Sequence, residues 1–97
     1  LPAYARLAPN RVLFVLDGFR YPPAAEASRG TYFDRMRRLF IDQATAHGYP
    51  TVDMDGPFFA RFRQTGERFE WPRDGHWNKL GHELAAKAVL DSPLLQD

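Results

Sequence analysis

The stretch Arg11-Val12-Leu13-Phe14-Val15-Leu16, closed by Asp17-Gly18, decides the fold. It is an unbroken apolar run of strand length, rich in β-favouring residues, and it ends on a turn dipeptide. Apolar and polar residues do not alternate within it. The run therefore predicts a strand covered on both faces, as in a parallel sheet. Residues 19–30 contain Pro22, Pro23 and a Ser28-Arg29-Gly30 break, and read as a loop. Residues 31–47 are the clearest helix. Thr31 and Asp34 have capping-box spacing. Phe33, Met36, Leu39 or Phe40, and Ala44 recur at helical intervals as the inner stripe, with Asp34, Arg35, Arg38 and Asp42 on the wet side. Gly48 suits a left-handed C-terminal cap, and His47 is a cation at the helix C-terminus. Thr51-Val52-Asp53-Met54 then reads as a second short buried strand. Strand, helix and strand with these connections predict a right-handed crossover between parallel strands.

Beyond that unit, Asp55-Gly56-Pro57 breaks the chain, residues 58–63 form a short helix, and residues 64–67 turn again. Residues 69–76 look irregular because of Pro72 and Gly75. Asn78 is an N-cap for a last helix over residues 79–90, with Leu80, Leu84 and Ala88 as its stripe and Asp91-Ser92-Pro93 as its stop. Before the first strand, residues 1–10 are a loose lead-in with a short helix tail ending at Pro9-Asn10. The order is strand, helix, strand, loop, helix within one domain over residues 1–97. That is an α/β layer fold with few strands for a sheet.

Composition removes several function classes. Thirteen basic residues against twelve acidic ones leave a formal charge of +1, without the basic excess that nucleic acid demands of its partners. The absence of cysteine excludes disulfides, thiolate metal sites and a cysteine nucleophile, and leaves the compartment unknown. No apolar run approaches the roughly 18–20 residues needed to span a bilayer. The chain opens at Leu1-Pro2 rather than at Met, as expected of a segment of a longer protein.

One segment carries chemistry: Asp74-Gly75-His76-Trp77-Asn78, running into Leu80-Gly81-His82. Residues two apart on extended backbone point to the same side, so the Asp74 carboxylate can reach the His76 imidazole. Gly75 between them is expected to let the backbone bend for that contact. A carboxylate on one ring nitrogen fixes the tautomer and leaves the other nitrogen as a general base.

The string D-G-H-W-N-x-x-G-H-x-x-x-A, residues 74–86, resembles the last block of the SGNH (GDSL-like) hydrolases. The resemblance implies a three-layer, parallel-sheet α/β fold of the SGNH or flavodoxin-like type, of which this chain is the C-terminal portion. It implies a carboxylic ester hydrolase or O-acyltransferase acting through an acyl-serine. By the same resemblance His76 is the general base, Asp74 completes a Ser-His-Asp triad, no cofactor is required, and the substrate is a small-molecule or carbohydrate ester. The commoner family spacing is Asp-x-x-His, whereas this chain has Asp-x-His, as in relatives that include carbohydrate O-acetyl esterases and transferases. The family's serine belongs to an upstream Gly-Asp-Ser block. The two serines present, Ser28 and Ser92, lie in neither that context nor Gly-x-Ser-x-Gly. The nucleophile is thus expected outside this chain, and the chain alone is expected to be inactive.

Plainer readings stand beside these. Asp74 and His76 can be a loop hydrogen bond with an exposed histidine. His82 is expected to pack or hydrogen-bond locally. His82-Glu83 starts a zinc-protease motif that Ala86 ends, and no regular ligand spacing supports a metal. The Arg35, Arg37, Arg38 group and the Arg61, Arg63 pair read as solvated charges. Trp71, Trp77, Phe58, Phe59 and Phe69 read mainly as packing, with a smaller share for lining an acyl or sugar pocket. Asp17 and Arg20, at the C-terminal end of a strand where open α/β sheets place ligands, are substrate-side candidates with Trp77 and Asn78. The rival to the enzyme is a non-catalytic α/β binding or assembly module on the same fold. The fragment reading further predicts exposed apolar faces on the Arg11 to Leu16 strand and hence self-association or weak folding, where the module would be a closed domain.

Overall fold

In the computed structural model, which describes Ala8 and residues 11–95, the apolar run forms strand β1, Phe14–Leu16. β1 pairs in parallel with β2, Thr51–Asp53, in the register Phe14 to Thr51, Val15 to Val52 and Leu16 to Asp53. The Met54 N–H extends the pairing by donating to the Leu16 carbonyl at 2.9 Å. The expected strand–helix–strand unit is present, and the chain has mixed α/β character. The lead-in expected over residues 1–10 lies outside the described residues, Ala8 excepted.

β1 is shorter than its apolar run and is not covered on both faces: Val15 is 38% exposed. Among the described residues the parallel sheet has two strands, too narrow to enclose one of them. Residues 19–30 also differ from the expected loop, because Pro22–Ala27 form a helix, α1. Its two prolines occupy the first helical positions, where the N–H is unpaired in any helix and a fixed φ helps entry.

The long helix α2, Tyr32–Ala46, starts where the cap predicts. The Thr31 hydroxyl accepts the Asp34 N–H at 3.3 Å, and the Asp34 carboxylate accepts from Gly30 N–H at 2.8 Å. Gly48 follows with φ 81°, and His47 Nδ1 lies 2.9 Å from the Gln43 carbonyl at the helix end. The inner face is a correction. Asp34 is buried, whereas Phe33, Met36 and Leu39 are 56%, 43% and 49% exposed. The inward face is Asp34, Arg37, Phe40, Ile41 and Ala44: Phe40 and Ala44 of the expected stripe keep their place, with Phe40 edge-on to Phe14 of β1 at 5.1 Å, while Arg37 pairs with Asp53 at the end of β2 and lies 3.6 Å from Asp55. Arg37 is accordingly no solvated charge.

Asp55-Gly56-Pro57 does not break the chain but opens a third helix, α3, Asp55–Thr65. Gly56 and Pro57 lie in its first turn, where helix breakers are tolerated, and Gly66 at φ 72° closes it. The supposedly irregular stretch is a β-hairpin. β3, Glu70–Trp71, pairs antiparallel with β4, Asp74–Trp77, across Pro72-Arg73. The last helix, α4, spans Lys79–Leu90 as expected, with Asn78 accepting the Gly81 N–H at 2.9 Å.

The core joins α3, α4 and the hairpin. Phe58 and Phe69 stack at 4.5 Å, Tyr21 stacks on Phe69 at 5.6 Å, and Trp77 meets Phe58 edge-on at 5.7 Å. Met54, Phe58 and Phe69 are fully buried, each contributing roughly 1.5–3 kcal/mol of transfer free energy. Leu80, Leu84 and Ala88 of α4 pack against this cluster, so the expected stripe is the inner one. The hairpin and the start of α4, which carry residues 74–82, therefore stand on the best-packed part of the molecule.

Candidate active site

Asp74 and His76 lie two apart on β4, so the strand pleat puts both side chains on one face. His76 Nδ1 stands 2.5 Å from Asp74 Oδ1, and the His76 N–H donates to the same oxygen at 2.9 Å. The backbone N–H of His76, then its ring N–H and charge, hold the Asp74 carboxyl below the usual aspartate range. Both side chains are open to solvent, His76 at 89% and Asp74 at 54%. Gly75 is not needed for the contact. A Cβ there would meet nothing within 4 Å, because extended backbone alone aligns the pair.

The glycine that geometry requires is Gly81. A Cβ on it would lie 2.7 Å from the Phe69 carbonyl oxygen and 2.9 Å from Trp77 Cβ. The first turn of α4 therefore rests directly on the hairpin. Asn78 locks this joint: its Oδ1 caps α4, while its amide donates to the Arg68 and Glu70 carbonyls at 3.0 and 3.3 Å. Its N–H also bonds the Phe69 carbonyl at 2.8 Å.

An open cleft of about 270 Å³ is lined by Asp17, Arg20, Gly75, His76, Trp77 and His82. The structure thus brings together Asp17, Arg20, His76 and Trp77 from the sequence reading. It assigns Asn78 to the joint behind them. His82 joins the cleft wall, its ring edge-on to Trp77 at 5.7 Å, which is local packing at the site's border. Trp77 Nε1 is buried and has no partner among the described residues. A larger open cleft of about 510 Å³ lies between α1, α2 and α3, away from His76. Neither Ser28, at the end of α1, nor Ser92, buried after α4, lines the His76 cleft. Among the described residues no cluster of three or more His, Asp or Glu side chains can hold a metal ion.

Arg20 is the most constrained member of the wall. It has φ 67°, an uncommon left-handed conformation for a non-glycine residue. Its guanidinium grips Asp17 through Nε at 3.1 and 3.2 Å and Nη2 at 2.5 Å, and reaches Glu70 through Nη1 at 3.5 Å. The hydrogen bond it donates to Asp17 is the main reason its proton is held even more firmly than usual. Glu70 also accepts the Tyr21 hydroxyl at 2.5 Å, and that hydroxyl accepts the Phe69 N–H at 2.8 Å. Burial raises the Glu70 pKa, but the Tyr21 hydrogen bond and the Arg68 and Arg20 guanidinia more than offset it, and the carboxyl sits below its ordinary value. Burial and the bond to Glu70 push the Tyr21 hydroxyl up. Glu70 escaped the sequence reading because it lies some 50 positions from Arg20, and the only local signal was charge in the hairpin.

Comparison of the chain with family models, with curated proteins and with solved structures gave no match.

Proposed function

We propose that this chain supplies the acid–base pair of a serine ester hydrolase of the SGNH (GDSL-like) type, with the described strands belonging to that family's three-layer sheet. The observation that carries the reading is the 2.5 Å contact of Asp74 Oδ1 with His76 Nδ1. With Nδ1 bonded, Nε2 is the nitrogen available to take a proton from a serine hydroxyl and return it to the leaving alcohol. Asp74 orients the ring and stabilises its charged form. Asp17, Arg20 and Trp77 form the substrate side of the cleft, and Asn78 holds the joint that presents them. The wide exposure of His76 suits a base whose serine is brought by residues other than these.

The second reading, a non-catalytic α/β module for binding or assembly, is favoured by two observations. Neither serine lines the cleft, and Met54, Phe58 and Phe69 close a core within this chain. The test is to read the coding sequence upstream of Leu1 and to express the whole reading frame. The hydrolase reading expects a Gly-Asp-Ser serine that a fluorophosphonate labels. It also expects p-nitrophenyl acetate turnover that falls about 10³–10⁴-fold in His76→Ala. Turnover unchanged in that variant would reject it in favour of the module.

A further inference from the structure

We infer that Asp55 is a positioning residue for the His76 cleft, acting through the turn that carries Asp17 and Arg20. What the cleft is used for rests on the ester-hydrolase reading; the geometry does not. Asp55 stands at the start of α3 with its carboxylate buried. Oδ1 accepts the Arg20 N–H at 2.8 Å, and Oδ2 accepts the Phe19 N–H at 3.1 Å. From α2, Arg37 Nε donates to the Asp17 carbonyl at 3.1 Å, and its Nη2 lies 3.6 Å from Asp55 Oδ2. Two side chains from two helices thus hold three backbone groups of one four-residue turn.

The fit at Gly18 shows how closely the turn is held. A Cβ there would stand 2.5 Å from Asp55 Oδ2 and 2.7 Å from Arg37 Nε and Nη2. The next strained point is Arg20, whose φ of 67° is one that a long side chain avoids unless its surroundings impose it. The Asp55 bond to the Arg20 N–H imposes it. In that conformation the guanidinium folds back onto Asp17, and the pair forms the wall of the cleft facing His76 and Trp77. Capping of α3 alone would not call for a carboxylate that reaches 35 residues back to fix an unfavourable φ at the cleft. Without Asp55, Arg20 relaxes to negative φ and the Asp17–Arg20 wall leaves its place.

The test is two-dimensional NMR on the chain itself, in wild type, Asp55→Ala, Arg20→Gly and the double variant; alanine removes both acceptor oxygens, whereas asparagine would keep one for the Arg20 N–H. Positive φ gives a strong intraresidue HN–Hα cross-peak at residue 20. Wild type is expected to show it, with the Phe19 and Arg20 amide protons shifted downfield by their carboxylate acceptor. Asp55→Ala is expected to lose that cross-peak and to shift the His76 ring and Trp77 indole resonances, while the α4 amides keep their positions. Glycine adopts positive φ without help. The double variant should therefore bring the His76 and Trp77 resonances back to those of Arg20→Gly. A positive φ that persists in Asp55→Ala, or cleft resonances that do not move, would overturn the inference. If Asp55→Ala does not fold, folding of the double variant with the wild-type hairpin pattern supports it. Failure of both leaves Asp55 a helix-start residue and rejects it. None of these outcomes depends on turnover, so loss of the hydrolase reading in the His76→Ala assay is a separate result.

Discussion

Replacing Gly81 by alanine should cost more than the helix gains. In an ordinary helix interior alanine is favoured over glycine by about 1 kcal/mol, and less in a first turn, where Gly81 stands three residues after its cap. Against that gain, the new Cβ would sit 2.7 Å from the Phe69 carbonyl oxygen and 2.9 Å from Trp77 Cβ. The carbonyl cannot give way freely, because it accepts the Asn78 N–H at 2.8 Å. Overpacking of this kind costs roughly 1–3 kcal/mol. The net loss is then about 1–2 kcal/mol, which for a domain of this size lowers Tm by roughly 5–15 °C. Gly75→Ala is the matched control. Its Cβ enters open space, so the change should stay within about 0.5 kcal/mol. Thermal and urea denaturation followed by circular dichroism give both numbers. A Gly81→Ala protein as stable as wild type would refute the idea that α4 rests directly on the hairpin.

Three other outcomes follow from the same geometry. Asn78→Ala loses the α4 cap and two bonds to the hairpin, about 2–3 kcal/mol together, and Asn78→Asp should recover part of it by keeping the cap oxygen; denaturation midpoints decide. The Asp74 carboxyl, followed by carbon NMR, should titrate below the ordinary aspartate range. In His76→Ala it should return only part of the way, since the backbone N–H, the larger cause, remains. The sign follows from a depressed folded pKa: the Asp74–His76 contact is complete above the unfolded aspartate value and is lost as pH falls through the folded one. Leu39→Lys on the exposed stripe of α2 should reduce self-association in sedimentation velocity and leave Tm unchanged; a fall in Tm would show that Leu39 is core.

What was legible in the sequence was whatever rests on local rules. The caps at Thr31 and Asn78, the closing Gly48, and the reach of α4 all follow from backbone groups that a neighbouring side chain must satisfy. The same holds for Asp74 and His76, which a two-residue spacing aligns on any extended backbone. The failures are tertiary. Pro22-Pro23 and Gly56-Pro57 were breakers by type and helix openers by position. On α2 the stripe held at Phe40 and Ala44 but not at Phe33, Met36 and Leu39, and Arg37, which reaches Asp53, faces inward with Asp34. The hairpin at 70–77 hid behind Pro72 and Gly75, although Pro72 only opens its turn and Gly75 sits as an ordinary residue within β4. The wall opposite His76 depends on Asp55 and Glu70, which are 35 and 50 positions from Arg20 in the chain.

The most direct test of the central claim is the tautomer of His76, read from its ring nitrogens by long-range proton–nitrogen NMR on this chain. The account predicts that neutral His76 carries its proton on Nδ1, with that proton shifted far downfield by Asp74 and Nε2 bare. It also predicts that Asp74→Asn abolishes both signatures. A neutral His76 protonated on Nε2, or averaged between the two nitrogens as in a free imidazole, would contradict it and leave the histidine without the orientation of a general base.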